Sequence, residues 1–169
     1  MNKKVFLGFI MNINQLGIDQ EFYIIGITIR TTNKAAINNG TIKNLWQQFF
    51  TQSILSKIPN KINHELVALY YDFENDKNGE YTVLLGARVS SIDEIPTGMT
   101  AQIVSTQKRE VFISEQGPVG QVCFELWKKI WILEDEKKLD RRYIADYELY
   151  DERSQDPQNA QLTIHIGIK

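Results

Sequence analysis

The sequence predicts an α+β fold built from two β-α-β-β units related by a pseudo-twofold axis, an antiparallel sheet carrying helices on one side and a groove on the other. Three observations predict it: two amphipathic helices with matching aromatic positions, strand-like runs around each, and a nearly constant offset between the halves. Ile42, Leu45, Trp46, Phe49, Phe50 and Ile54 fall at helical spacing between Gly40 and Leu55, with Pro59 beyond the end. Val119, Val122, Cys123, Leu126, Trp127, Ile130 and Trp131 repeat that period from Val119 to Glu134, behind Pro118, which a helix's first turn tolerates. Leu45-Trp46-x-x-Phe49-Phe50 matches Leu126-Trp127-x-x-Ile130-Trp131, and positions 46 and 127 are 81 apart.

Strand-like runs rich in β-branched and aromatic residues precede each helix, at Glu21 to Thr32 and Ala101 to Ser114. Two more follow each. In the first half these are Leu66 to Phe73 and Tyr81 to Val89, joined by the turn residues Asn75 to Gly79; in the second they are Asp146 to Asp151 and Leu162 to Lys169. Thr82-x-x-x-Gly86-x-Arg88 aligns with Thr163-x-x-x-Gly167-x-Lys169, again 81 apart, and Leu69-Tyr70 aligns with Leu149-Tyr150 at an offset of 80. A helix and two strands repeating at one offset indicate an internal duplication. The expected organisation is a leader over 1–20 and one domain over 21–169, with repeats of about 21–91 and 100–169.

Composition narrows the function classes. The 169 residues are 43% hydrophobic and 24% charged, which suits a globular chain and excludes a disordered or low-complexity one. A formal charge of −2 offers no global attraction to nucleic acid phosphates or an anionic membrane, so a small molecule or a protein is the expected partner. Cys123 is the single cysteine, and His64 and His165 are distant in sequence with no HExxH pattern, so neither a metal nor another cofactor is expected. Cys123 reads as a small core residue in a cytoplasmic, reducing setting. The apolar run Val5 to Met11 leads into Asn12-Ile13-Asn14-Gln15 rather than a small-residue cleavage site, so it reads as an irregular or strand-like leader, with a weak secretion signal as the alternative.

Strand alternation separates Tyr147 and Leu149 from Asp146, Glu148 and Tyr150. With Leu149 and its repeat mate Leu69 turned toward the helices, Glu148 and Tyr150 face the groove, as do Ala68 and Tyr70. Glu148 is then either a solvated strand residue or a carboxylate among aromatic groups, which stabilises an organic cation by Coulomb attraction and cation–π contact.

From Glu21 to Lys169 the sequence resembles the GyrI-like small-molecule-binding domain, the effector-binding module of many AraC- and MerR-type transcription regulators. The resemblance rests on Gly26-Ile27-x-x-Arg30-Thr31-x-Asn33, the Leu45-Trp46 helix, Tyr70-Tyr71-Asp72 with Gly79-Glu80-Tyr81, Leu85-Gly86, Gly98-Met99, Gly117-Pro118, Trp127 to Trp131, Asp146 to Tyr150, and Ile164-x-Ile166-Gly167-Ile168. It implies a duplicated β-α-β-β fold and a ligand-binding glutamate that maps onto Glu148, with Tyr150 as the adjoining tyrosine. Tyr70 and Ala68 join the site by repeat symmetry. Trp127 and Trp131 are placed to line the end of the cleft or to fill the core, while Arg30 and Asn33 hold the loop into the helix.

The resemblance implies a stand-alone binder of amphipathic, cationic aromatic molecules, acting as sensor or sequestering agent. Residues 1–20 are too few for the DNA-binding domain that normally precedes this module, so no direct nucleic acid binding is expected. Two alternatives remain open: a hydrolase of cyclopropane-bearing compounds, with Glu148 and Tyr150 as its catalytic pair, and a protein-binding module of the gyrase-inhibitor type.

Overall fold

The computed structural model describes residues 15–169. Its strands are β1 (Gln15–Ile18), β2 (Phe22–Thr31), β3 (Leu66–Tyr71), β4 (Tyr81–Val89), β5 (Thr100–Val104), β6 (Lys108–Ile113), β7 (Ala145–Tyr150) and β8 (Thr163–Gly167). Helices α1 (Asn33–Asn39), α2 (Thr41–Thr51) and α3 (Ile54–Lys57) lie between β2 and β3, and α4 (Val119–Asp135) lies between β6 and β7. All eight strands form one antiparallel sheet in the order β1-β6-β8-β7-β3-β4-β2-β5.

The inner six positions read the same from either end: β6-β8-β7 of the second unit mirror β2-β4-β3 of the first. The axis between them falls at β3 and β7, where Ala68 lies directly opposite Glu148. These are the two positions that the repeat aligns, so one side chain of the symmetric pair is a methyl group and the other a carboxylate.

Each unit also has a leading strand, and the two are exchanged. β1, ahead of the first unit, pairs with β6, and β5, ahead of the second, pairs with β2. The expected single strand from Ala101 to Ser114 is therefore two strands in opposite halves of the sheet. Residues 1–14 of the expected leader lie outside the described residues, while Gln15–Ile18 enters the sheet as β1.

The exchange dictates the shape of the sheet. β1 and β2 are six strand intervals apart, roughly 29 Å in a flat sheet at ~4.8 Å per interval. Only Asp19, Gln20 and Glu21 join them, and so short a link reaches about 14 Å at most. Ser105, Thr106 and Gln107 face the same task between β5 and β6. The sheet must curl until its edges approach, with both links crossing the concave side. Accordingly, Phe22 on β2 meets Tyr147 on β7 edge-on at 5.3 Å, although β3 and β4 lie between their strands.

Two cores result. One joins the helices to the helix-facing residues Ile25, Ile27, Ala68, Tyr70, Leu85, Ile164 and Ile166. The other lies under the crossing links and contains Ile24, Val67, Leu69, Leu84, Val104, Ala145 and Tyr147, with Leu149 packed against it. The alternation read from the sequence holds, but its assignment to sides is reversed. Leu69 and Leu149 pack in the concave core, while Glu148, Tyr150, Ala68 and Tyr70 face the helices. On that side Tyr70 packs edge-on against Trp127 of α4, and Tyr150 against Trp46 of α2.

The helix expected from Gly40 to Leu55 is interrupted. After Thr51 the chain passes through Ser53 in the left-handed region (φ 51°), and α3 is a separate turn. α1 was not expected. Thr32 caps it by accepting from Ala35 N at 3.0 Å, and Gly40, at φ 66°, turns the chain from α1 into α2. A side chain at Gly40 would strain that turn.

Asp19 fastens the crossing links. Arg109 Nε donates to its Oδ2 at 2.5 Å, Tyr147 OH donates at 3.3 Å, and the Gln107 backbone N–H reaches Oδ1 at 3.4 Å. The Arg109 side chain is 1% exposed. Removing one partner strands a buried charge, so Asp19→Ala should lower unfolding stability by about 3 kcal/mol in urea denaturation. A loss under about 1 kcal/mol would show that the links hold without this contact.

Candidate functional site

Glu148 is brought to the centre of the helix-facing side by its place in β7, and it is 2% exposed. Three aromatic donors converge on it. Tyr70 OH donates to Oε1 at 2.7 Å, Trp127 Nε1 donates to Oε1 at 2.6 Å, and Tyr150 OH donates to Oε2 at 2.6 Å. Cys123 Sγ lies 3.4 Å from Oε1. The donors come from β3, α4 and β7, so sheet register and the α4 period jointly assemble the group. Ala68, across the ladder, is fully buried and leaves room for the glutamate side chain.

None of the ion pairs among the described residues includes Glu148. Its partners are neutral donors, which distribute the charge but do not cancel it. The surrounding acids respond accordingly. Burial and then the Glu148 charge push the Tyr70 hydroxyl and the Cys123 thiol well up. Burial does the same to Tyr150, and ionised Cys123 and Glu148 would each oppose its deprotonation. Cys123 is thus kept as a thiol, the opposite of what a nucleophile needs.

A cleft of about 340 Å³ opens beside this group, between α1 and the start of α2 on one side and α4 on the other. Tyr70, Phe73 and Tyr81 form its floor, Trp127, Trp131 and Phe124 its α4 wall, and Ala36, Ile37 and Ile42 the opposite wall. Glu148 lies immediately behind Tyr70 and Trp127, both of which bond to it. The mouth is apolar, since Ile37 and Phe124 are both exposed.

The cations at the rim are already engaged. Arg141 donates to Asp146 at 2.8 Å and to Glu134 at 3.4 Å, with its guanidinium 5.6 Å from the Trp127 ring centre. Lys77 is paired with Asp135.

Of the residues read from the sequence, Glu148, Tyr150, Tyr70 and Trp127 are joined by hydrogen bonds, and Trp131 lines the cleft while stacking on Trp127 at 6.1 Å. Ala68 lies opposite Glu148 across the β3–β7 ladder. Arg30 ties β2 to the β3–β4 hairpin through the Asp72 carbonyl at 2.5 Å. Asn33 ties in Lys77 and Tyr81, each at 2.8 Å, and also lines the cleft. Sequence reasoning missed the α1 wall, Phe73, Phe124 and Arg141. The Thr32 cap and Gly40 stop were a legible sign of α1, whereas nothing local marks Arg141.

The duplicated, helix-backed antiparallel sheet is the fold of effector-binding domains, and comparison with known proteins places the chain among them. The chain belongs to the Cass2 family, integron-associated effector binding proteins, whose model matches residues 19–168. A putative transcriptional regulator protein of Bacillus subtilis, YobU, is 30% identical over 85% of this chain and 90% of its own. The integron cassette protein VCH_CASS2 from the mobile metagenome of Vibrio cholerae has a similar fold, with TM-score 0.74 and 23% identity over 92% of this chain and 95% of that one. So does SAV2435, solved bound to tetraphenylphosphonium, with TM-score 0.74 and 15% identity over 92% and 93% of the two chains. No helix among the described residues is long and apolar enough to cross a membrane.

The Trp127 indole is a donor to a buried charge, an interaction worth about 2 kcal/mol. Trp127→Phe should therefore lower the unfolding free energy by about 2 kcal/mol, read as a lower midpoint in urea denaturation. Phe keeps most of the packing, so an unchanged midpoint would mean that Glu148 is satisfied without the indole.

Proposed function

We propose that this protein captures amphipathic aromatic cations in the α1–α4 cleft, with Glu148 as counter-charge and Tyr70, Tyr150, Trp127 and Trp131 as the aromatic surround, and that it serves as a sensor or sequestering agent for such compounds. The observation that carries this reading is a buried carboxylate with three aromatic donors and no cationic partner among the described residues, behind an apolar cleft. An isolated buried charge is costly, and a cation entering the cleft recovers part of that cost while desolvating its own apolar groups. Aromatic faces add cation–π attraction. The tetraphenylphosphonium bound to the fold relative SAV2435 supports the same ligand class.

Glu148→Gln keeps the shape and an acceptor oxygen but removes the charge. At an effective dielectric near 20 and a separation of about 8 Å, the lost attraction is roughly 2 kcal/mol, or about 30-fold in affinity. Calorimetric titration of tetraphenylphosphonium should show this weakening, while thermal unfolding of the ligand-free variant should be at or above the wild-type midpoint, because a binding charge is held at the expense of stability. Equal affinity for the variant and wild type, or no binding by wild type, would falsify the reading.

A further inference from the structure

The Trp127 side of Glu148 has a near copy on its other side. Tyr70 meets Trp127 edge-on at 5.2 Å, and Trp127 stacks on Trp131 at 6.1 Å with 29° between planes. Across the axis, Tyr150 meets Trp46 edge-on at 4.9 Å, and Trp46 stacks on Phe50 at 5.9 Å with 27° between planes. These are the positions that the sequence repeat aligns, Trp46 with Trp127 and Phe50 with Trp131. Both arms begin at a tyrosine hydroxyl bonded to Glu148, one on each carboxylate oxygen.

The arms differ in how far the protein's own side chains occupy them. On the cleft side, Arg141 lies over Trp127, and Lys128 is 5.1 Å from the ring centre of Phe124. Among the described residues no cationic side chain lies over Trp46, Phe50 or Tyr150. Trp46 and Tyr150 are half-buried where Trp127 and Tyr70 are buried, and Phe50 is 61% exposed. This arm is a shallow aromatic surface, one tyrosine away from an unmatched carboxylate, with no cation of its own on it.

We infer that the Tyr150–Trp46–Phe50 arm is a second binding surface for aromatic cations, alternative to the cleft and served by the same Glu148. This rests on the cation-binding reading above. Because both arms draw on one carboxylate, a cation on one arm neutralises the charge that would attract a cation to the other. Occupancy is one ligand per chain, distributed over two poses. The cleft encloses its ligand more fully, and the open arm accommodates bodies too broad for a cavity of about 340 Å³.

Photolabelling of the wild-type protein with (4-azidobenzyl)triphenylphosphonium, read by tandem mass spectrometry, separates the two poses. Label should appear on Trp46 or Phe50 as well as on Phe124 or Trp131, should be suppressed at both places by unlabelled tetraphenylphosphonium, and should total no more than one per chain. Phe50→Ala, at an exposed position, should lower the label on Trp46 at least about threefold, with the cleft label unchanged at sub-saturating probe and raised at saturation because the two poses compete for one ligand. Label that protects with tetraphenylphosphonium yet is confined to the cleft overturns this inference alone. Two labels per chain overturn the sharing of Glu148. Absence of protectable label anywhere, with no calorimetric binding, overturns the cation-binding reading beneath it.

Discussion

Two three-residue links constrain everything else in this fold. Each must carry the chain from one edge region of an eight-stranded sheet to the other, and neither is long enough to do so around a flat sheet. The sheet therefore curls toward the links, and its concave side fills with Ile24, Leu69, Leu84 and Tyr147. With that side occupied, the helices and the cleft have only the convex side left to them. The position of the cleft is thus a consequence of how the strands are exchanged.

The second governing feature is a broken symmetry. A duplicated unit provides paired tyrosines and paired helix aromatics around the axis, but the aligned positions 68 and 148 hold Ala and Glu. Two carboxylates facing each other across that ladder would repel strongly in a buried setting. One carboxylate with a methyl group opposite gains the donors of both units while meeting no rival charge. α1 breaks the symmetry again, walling the cleft on the Trp127 side alone.

Much of this was legible in the sequence because it follows from local periodicity. The α4 boundaries, the duplicated unit and the grouping of Glu148 with Tyr150 and Tyr70 came from spacing, from offsets and from a family resemblance that the Cass2 match confirms. The side of the sheet was not legible, since alternation states which residues share a face but not what covers it. Leu69 and Leu149 looked suited to a helix interface, yet they serve the concave core. The break at Ser105, Thr106 and Gln107 was hidden as well, because polar residues inside a β-rich run resemble an exposed stretch of strand. Arg141 became visible as a rim residue only through its contacts with Asp146 and Trp127, which are set by tertiary packing.

The exchange of β1 and β5 has a consequence for how the molecule comes apart. Each half of the chain lends a strand to the other half's edge, so neither half can lose its structure while the other keeps a complete sheet. Backbone pairings such as Gln15 with Val111 close very long loops, whose entropic cost is larger than that of the local hairpins. Unfolding is accordingly expected as one cooperative event for the whole sheet. The cleft at its centre then inherits the rigidity of both halves together.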